Sequence, residues 1–181
     1  MRVALMVVGV AFGISSGTPT LFAGTRDQFD RGITRYIALR RGVEQRVPGP
    51  RVSNDLAEIH GAADAQADAI RAARPRAKQG DIFTSKVAAD FRRHIRAVLT
   101  IEGLRPDQLA ERRDDERGRP LAPAVNGRFD WNLNAVMPAV VIAALPPLPG
   151  ELQYRFVERD LVLVDIVAGL VVDILPHALI D

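Results

Sequence analysis

Hydrophobic residues recur at three- and four-residue steps through the first part of the chain, a spacing that places them on one face of a helix. The pattern predicts three helices, over residues 25–47, 53–74 and 84–99. The first ends at Pro48-Gly49-Pro50, because proline interrupts helical hydrogen bonding. Each begins at a hydroxyl residue that can accept a hydrogen bond from a helical N–H: Thr25, Ser53 and Thr84.

Shorter helices are expected on either side of a highly charged segment. One begins at Pro106, where proline suits the first helical position, and reaches about residue 116. The other covers the apolar residues 137–145. Residues 112–119 contain no apolar side chain and are predicted to form a solvated surface turn. Together with the turn signal at Asn126-Gly127, they divide a helical part, 25–116, from a loop and short helix, 117–149.

The pattern changes near the end of the chain, where three β-rich runs lie at 152–157, 161–167 and 170–175. Glu158-Arg159 and Ala168-Gly169 are the predicted two-residue links between them. Such links predict an antiparallel meander in which Phe156 pairs with Leu161 and Val167 with Leu170. Both faces of this sheet are largely apolar, so we expect the helices to cover it on two sides. The predicted fold class is therefore α+β, with about four helices first and a small three-stranded sheet last.

Two aspartates interrupt the apolar strands and raise the question of a paired-carboxylate site. With the predicted register, Asp165 and Asp173 point to opposite faces of the sheet. That does not suit a glycosidase pair, whose carboxyl groups lie about 5–9.5 Å apart across a substrate. Asp173 would instead lie diagonally across from Arg155, so we predict a structural ion pair between these two residues.

The first two dozen residues have the three-part layout of a secretory signal peptide. Met1-Arg2 is a short positive start, residues 3–14 are apolar, and small or polar residues follow. We expect cleavage after Ala23, which removes residues 1–23, with cleavage nearer Gly17 as the alternative. An uncleaved membrane anchor is a further interpretation, although the apolar run is shorter than the about 20 residues that span a bilayer. The predicted location is periplasmic or secreted.

Length and composition suit one globular domain over residues 24–181. The chain contains no cysteine, which excludes disulfides, thiolate metal sites, a cysteine nucleophile and a lipid-modified N-terminal cysteine. Its formal net charge is only +2, which is not the charge profile of a nucleic-acid-binding protein.

Histidine is scarce, with His60, His94 and His177 as its only occurrences. His60 and His94 lie at the edges of two apolar stripes, and antiparallel packing of those helices would bring them together. A structural metal site needs about four ligands, and no local motif supplies the others. Ordinary hydrogen-bonded histidines are therefore the favoured interpretation, and a weak metal site at His60 and His94 is the alternative. No cofactor is predicted.

Serine chemistry has little basis in this sequence. After residue 23, serine occurs only at Ser53 and Ser85, and both fall in predicted helix-capping turns. After that residue the sequence contains no Gly-x-Ser-x-Gly elbow and no glycine-rich phosphate loop. We therefore predict no catalytic residue.

Adjacent arginines could contact an anionic partner, at Arg40-Arg41, Arg92-Arg93 and Arg112-Arg113. Acidic residues are interleaved with them, so solvated helix faces are the default interpretation. Binding of an anionic ligand, lipid or polysaccharide, or of an envelope protein, is the alternative.

Short motifs along the chain resemble a group of exported bacterial proteins of unknown function. In chain order they are Tyr36-x-Ala38-Leu39-Arg40-Arg41, Gln79-Gly80-Asp81-Ile82-Phe83-Thr84, Phe91-Arg92-Arg93, Leu145-Pro146-Pro147-Leu148-Pro149 and Leu152-x-Tyr154-Arg155-Phe156-Val157-x-Arg159-Asp160-Leu161. The resemblance covers most of the chain after residue 23. It implies an exported single domain and no particular activity.

The C-terminal hairpin is also similar to that of periplasmic nickel/cobalt-homeostasis proteins of the RcnB type. The similarity lies in the proline-rich entry, in Tyr154-Arg155-Phe156-Val157 and in Val171-Val172-Asp173-Ile174. Glu158 stands where those proteins usually have a glycine, and their histidine-rich and aspartate-rich N-terminal segments are missing here. Metal homeostasis does not follow from this hairpin alone.

The leading hypothesis is a non-enzymatic periplasmic or secreted protein that acts through a surface or groove on a partner or ligand. Its basis is the lack of nucleophiles, metal-ligand sets and phosphate loops. The alternatives are a hydrolase-like enzyme with a carboxylate-based site near the C-terminal hairpin, and a weak metal-binding periplasmic protein. After signal cleavage the chain is not expected to be an integral membrane protein.

Overall fold

The computed structural model describes residues 24–110, 122–131 and 137–179. Within these ranges, helices precede a three-stranded antiparallel sheet, which confirms the predicted α+β class. The elements are α1 (Arg26–Glu44), α2 (Leu56–Ala73), α3 (Ser85–Ile101), α4 (Pro106–Ala110), α5 (Ala139–Ala144), β1 (Leu152–Val157), β2 (Asp160–Asp165) and β3 (Leu170–Leu175). The predicted signal peptide and the Arg112-Arg113 pair lie outside the described residues. No described helix is long and apolar enough to cross a membrane.

Helix α1 contacts both α2 and α3. One of its faces is buried along the whole helix, through Phe29, Gly32, Ile33, Tyr36, Ile37, Arg40 and Val43. Helix α2 differs, because Leu56 at its start is 69% exposed and its buried residues, Gln66, Ala67 and Ile70, all lie in its second half. The end of α2 is therefore the part that lies against the core, and the segment that follows it is held close to the sheet.

The predicted helix starts lie within three residues of the observed ones, but the caps differ. Asp55 rather than Ser53 caps α2, because its carboxylate accepts a hydrogen bond from the Ala57 N–H at 2.8 Å. Thr25 and Thr84 occupy the N-cap positions of α1 and α3 without a capping side-chain hydrogen bond.

The first hairpin of the sheet matches the prediction and the second does not. Phe156 pairs with Leu161, as expected from the two-residue link between β1 and β2. In the second hairpin Leu170 pairs with Asp165 rather than with Val167, and the register shifts at Leu163/Val164. The predicted Val167–Leu170 pairing is therefore wrong.

Asp165 itself accounts for the early end of β2. Its carboxylate accepts hydrogen bonds from the backbone N–H groups of Val167 at 3.1 Å and Ala168 at 3.0 Å. An aspartate that bonds backbone groups two or three residues ahead stabilises a turn rather than a continuing strand. Residues 166–169 consequently form the connection to β3.

The two faces of the sheet have different covers. Tyr154, Phe156 and Leu163 belong to the main core, which they share with buried residues of α1 and α3. The other face forms a second cluster of Val162, Val164, Val171 and Ile174 with Phe129 and Val125. Residues 125–129 reach this position because Phe129 N–H donates to the Gly169 carbonyl at 2.8 Å. The prediction that helices cover both faces is therefore corrected: in the described part of the chain, a loop segment covers the second one.

Candidate functional site

The two strand aspartates both have no exposed surface. Asp173 pairs with Leu163, and Asp165 lies two residues after Leu163 on the same strand. Because side chains alternate along a strand, both aspartates lie on one face of the sheet. The predicted placement on opposite faces is wrong, because it assumed a hairpin without the register shift.

Asp165 is held by side chains of α1. Its Oδ2 accepts hydrogen bonds from the Tyr36 hydroxyl at 2.8 Å and from Arg40 Nε at 2.9 Å. Burial, followed by the neighbouring charge of Asp165, raises the pKa of Tyr36, so the phenol stays protonated as a donor. Arg40 also pairs with Glu44 at 2.9 Å. The carboxylate is thus charge-paired and hydrogen-bonded, as a buried ion pair requires.

Asp173 is held by backbone N–H groups instead. It accepts hydrogen bonds from Gly80, Ile82 and Phe83 of the α2–α3 loop (residues 74–84), and from Ile174 beside it, all within 2.7–2.8 Å. Burial raises the pKa of Asp173, and these four N–H donors act in the opposite direction. The function of this carboxylate in the fold is to hold the α2–α3 loop against the sheet.

The predicted ion pair between Arg155 and Asp173 does not form. Arg155 pairs with Val162, which in turn pairs with Ile174, so Arg155 lies on the face opposite to Asp173. Its guanidinium lies 5.9 Å from the centre of the Trp131 ring and donates to Gln153 at 2.6 Å. The register shift in the second hairpin accounts for this correction too.

A cleft with both polar and apolar lining lies where α1 and the α2–α3 loop face one another. It has a volume of about 340 Å³, within the range of small-molecule sites, and we name it the α1–loop cleft. Its lining residues are Gly32, Arg35, Tyr36 and Leu39 from α1, and Arg74, Asp81 and Ile82 from the loop. The two buried aspartates hold its two walls in place, Asp165 through α1 and Asp173 through the loop, and neither of them lines it.

Arg74 is the group in the cleft whose bonding is incomplete. Its Nη2 donates to the Val172 carbonyl at 2.9 Å, and its guanidinium lies over the Tyr36 ring, 5.2 Å from the ring centre. Its Nη1 is buried and has no hydrogen-bond acceptor among the described residues. Burial lowers the pKa of Arg74, while the nearby Tyr36, Asp173 and Asp81 act in the opposite direction. An arginine keeps its charge under such conditions.

Two further charged side chains line the same cleft. Arg35 is exposed on α1 and makes no ion pair with any residue in the described ranges. Asp81 is half-buried, and its Oδ2 accepts a hydrogen bond from the Lys78 N–H at 3.0 Å. The α1–loop cleft thus combines two cationic groups with one carboxylate.

The histidines predicted as metal candidates are not brought together. His60 is exposed on α2, and His94 is half-buried on α3. No group of three or more potential metal ligands occurs in the parts of the chain that the structure describes. Packing of α2 against α3 was expected to join these histidines, but α1 is the helix that contacts both.

The arginines predicted to form a partner surface make different contacts in the structure. Arg40 is 2% exposed and bonded to Asp165, so its placement on a partner surface is wrong. Arg92 donates to the Pro176 carbonyl, at 2.7 Å from Nη2, and holds the end of the chain against α3. Arg41 is exposed, and Arg93 is exposed and paired with Asp90. These side chains do not form one anion-binding patch.

A second concavity of about 410 Å³ lies beside β1. It is mainly apolar, with Ile142, Pro146, Pro147, Leu148, Leu152, Gln153, Tyr154 and Arg155 as its lining. Tyr154 donates to the Pro146 carbonyl at 3.1 Å, and Arg155 is bonded to Gln153. Arg155 Nε is buried without an acceptor among the described residues. Arg155 is the one charged side chain in the described lining of this groove, whereas three charged side chains line the α1–loop cleft, so the groove offers less directional recognition.

Sequence reasoning did not identify Arg35, Arg74 and Asp81 as one site. They come from different segments, and only the packing of the loop on α1 brings them together. A usable signal was present at Arg40, a charged residue four positions after Tyr36 on the apolar face of α1. A charge in a core stripe requires a buried partner, and the two strand aspartates were the candidates.

Comparisons of the chain with protein-family models, with curated proteins and with solved structures gave no significant match. The interpretation of the site therefore depends on its own geometry and chemistry.

Proposed function

We propose that this protein is an exported, non-enzymatic ligand-binding module, and that it binds a small oxyanion in the α1–loop cleft. The observation that carries the proposal is the Arg74 guanidinium, which lines the cleft and has a buried Nη1 without an acceptor. An unsatisfied buried donor costs about 1–3 kcal/mol, and more when it is charged. A ligand oxygen that reached this guanidinium from the cleft would supply the missing acceptor.

The residue type supports an oxyanion rather than a neutral ligand. A guanidinium presents several N–H donors in one plane, which suits carboxylate, phosphate and sulfonate groups. Arg35 on the opposite wall adds a second positive charge that no described residue neutralises. Two cationic groups around one cavity raise the local concentration of anions and favour their capture.

The carboxylate-based enzyme receives no support from the aspartates near the C-terminal hairpin. Both oxygens of Asp165 and of Asp173 already accept hydrogen bonds from protein groups. A general acid or base must reach a substrate atom from an open site. These two carboxylates serve the scaffold, so binding is the function we propose.

The cellular location is proposed from the N-terminal pattern of Met1-Arg2 followed by the apolar residues 3–14. Mass spectrometry of the protein from periplasm and culture medium tests it. A new N-terminus between residues 17 and 24 supports export. A chain with an intact Met1 in the cytosolic fraction contradicts it.

The binding proposal is tested by isothermal titration calorimetry of the purified protein with phosphate, butyrate and 2-aminobutyrate. Arg74→Gln is expected to weaken binding of the tightest of these by at least about tenfold, because a charge-assisted hydrogen bond is lost. Arg76→Gln is the matched control, since it removes an equal charge from an exposed arginine two positions away. Absence of binding by all three anions, or equal losses in both variants, would contradict the proposal.

A second variant separates binding from folding, because Arg74 also donates to the Val172 carbonyl. Arg35 is exposed and unpaired among the described residues, so Arg35→Gln should leave the melting temperature unchanged. We expect it to weaken anion binding by about threefold or more, through loss of the second cationic group. Unchanged affinity in Arg35→Gln would remove this residue from the site.

A further inference from the structure

The carboxylate in the α1–loop cleft is unexpected for a site that binds only an anion. Asp81 lines the same cavity as Arg74 and Arg35. Its charge acts on Arg74, yet no ion pair joins the two among the described side chains. Opposite charges that share a cavity without touching leave space for a ligand that carries both complementary charges.

The hydrogen bonding of Asp81 leaves part of its carboxylate available. Its Oδ2 accepts from the Lys78 N–H at 3.0 Å, which fixes the side chain at the loop. An ionised carboxylate has capacity for about four hydrogen bonds over its two oxygens. An ammonium group in the cleft can therefore be accepted without breaking the loop contact.

The remaining lining suits a short carbon chain. Leu39, Ile82 and the ring of Tyr36 are the apolar contributors, and the Tyr36 hydroxyl is already engaged by Asp165. Gly32 lets the loop approach α1 closely, because a Cβ there would lie 3.3 Å from the Ile82 side chain. The volume of about 340 Å³ suits a small ligand.

From these contacts we infer that the ligand of the α1–loop cleft is a small zwitterionic amino carboxylate. Its carboxylate is bound by Arg74 and Arg35, its ammonium group by Asp81, and its carbon chain lies against Leu39 and Ile82. The inference rests on the proposed binding function, and it adds a requirement for a positive charge on the ligand. Each charge of the ligand then meets an opposite charge of the protein.

The test is a calorimetric titration of the wild-type protein and Asp81→Asn with four probes: butyrate, butylamine, 2-aminobutyrate and 4-aminobutyrate. The two amino acids differ in the separation of their charges, so the panel samples two spacings. We expect one of them to bind at least about tenfold more tightly than butyrate, and Asp81→Asn to reduce this preference to about twofold or less. Glu102→Gln, which removes an exposed carboxylate that does not line the cleft, should keep the preference.

The outcomes separate the inference from the proposed function. If butyrate binds as tightly as both amino acids, or if Asp81→Asn keeps the preference, the zwitterion inference is overturned and anion binding stands. If none of these probes and no phosphate binds, the proposed function itself fails. The melting temperature of Asp81→Asn shows whether the loop contact to Lys78 has survived. Asp81→Glu keeps the negative charge, so it should retain a preference for an amino acid if the ammonium contact is electrostatic.

Discussion

The two buried aspartates of the sheet lie on the same face, yet they are stabilised in different ways. Asp165 is bonded to the side chains of Tyr36 and Arg40 and thereby fixes a helix. Asp173 is bonded to backbone N–H groups of the α2–α3 loop and thereby fixes a loop conformation. A charge-paired carboxylate positions an element that is already regular, whereas a backbone-bonded carboxylate gives shape to a segment that has no regular hydrogen bonding of its own.

This difference explains why the cleft lies between these two regions. Helix α1 supplies a wall with fixed side-chain spacing, and the loop supplies a wall whose shape depends on Asp173. Removing the Asp165 carboxylate should therefore destabilise the whole fold, whereas removing the Asp173 carboxylate should mainly loosen the α2–α3 loop.

The largest effect is expected for Asp165→Asn. It removes the buried one of the two carboxylates that pair with Arg40, and breaking a buried pair in this way costs about 3–5 kcal/mol. The free energy of unfolding from urea titration measures the loss. Glu44→Gln is the control, because it removes the other carboxylate on Arg40, which is 46% exposed, and it should cost less than about 1 kcal/mol. Similar losses in the two variants would show that burial of the pair is not decisive.

Asp173→Asn is expected to cost about 2–3 kcal/mol, because the amide group cannot accept the N–H bonds that one carboxylate oxygen receives. Amide hydrogen exchange distinguishes this variant from Asp165→Asn. The amides of Ile82 and Phe83 should lose protection while those of α1 keep it. Asp160→Asn is the comparison, since Asp160 accepts one backbone N–H, from His177, rather than four. Uniform loss of protection through α1 and the loop would contradict a local function of Asp173.

A smaller effect is expected for Gly80→Ala in the α2–α3 loop. Gly80 has φ +88°, and an alanine in such a conformation costs about 1–2 kcal/mol. Gly42→Ala is the matched control within α1, because no atom lies within 4 Å of the added Cβ, and a helical alanine should stabilise by up to about 1 kcal/mol. The two changes should thus shift the melting temperature in opposite directions. Shifts of the same sign would argue against the described loop conformation.

The smallest expected effect is a change in the free energy of unfolding with pH. Because burial raises the folded-state pKa of Asp173, the folded protein binds more protons than the unfolded chain at mildly acidic pH. The contribution of this group is complete below the unfolded pKa of about 3.9 and is lost as the pH rises through the folded value. Urea unfolding at several pH values should show this decline in the wild type and not in Asp173→Asn. Parallel pH profiles would refute the assignment to Asp173.

Much of the fold was predictable because its signals are local. Apolar periodicity located the three long helices, and the two-residue link at Glu158-Arg159 correctly fixed the first hairpin. The second hairpin was missed because Asp165 bonds to Val167 and Ala168 and ends β2 early. A local rule about Ala168-Gly169 as a turn could not include this competing side-chain contact.

The site was less predictable than the fold because its parts are distant in sequence. Arg35 and Arg74 meet in one cleft only after the loop packs on α1, and hydrophobic periodicity does not report on that contact. Adjacent arginines drew attention instead, although Arg40 proved to be buried against Asp165. Charge at core-facing positions was the more informative signal, because a buried charge must be compensated.

The central claim is that Arg74 binds an oxyanion in the α1–loop cleft, and its side-chain NMR signals test this most directly. The protein labelled with ¹⁵N is titrated with phosphate and with 2-aminobutyrate at constant ionic strength, and the Arg74 signal is assigned by its loss in Arg74→Gln. We predict that the Arg74 signal shifts saturably with at least one of these ligands while that of Arg76 does not move. An Arg74 signal that stays constant, or a shift shared equally by the exposed arginines, would contradict the account.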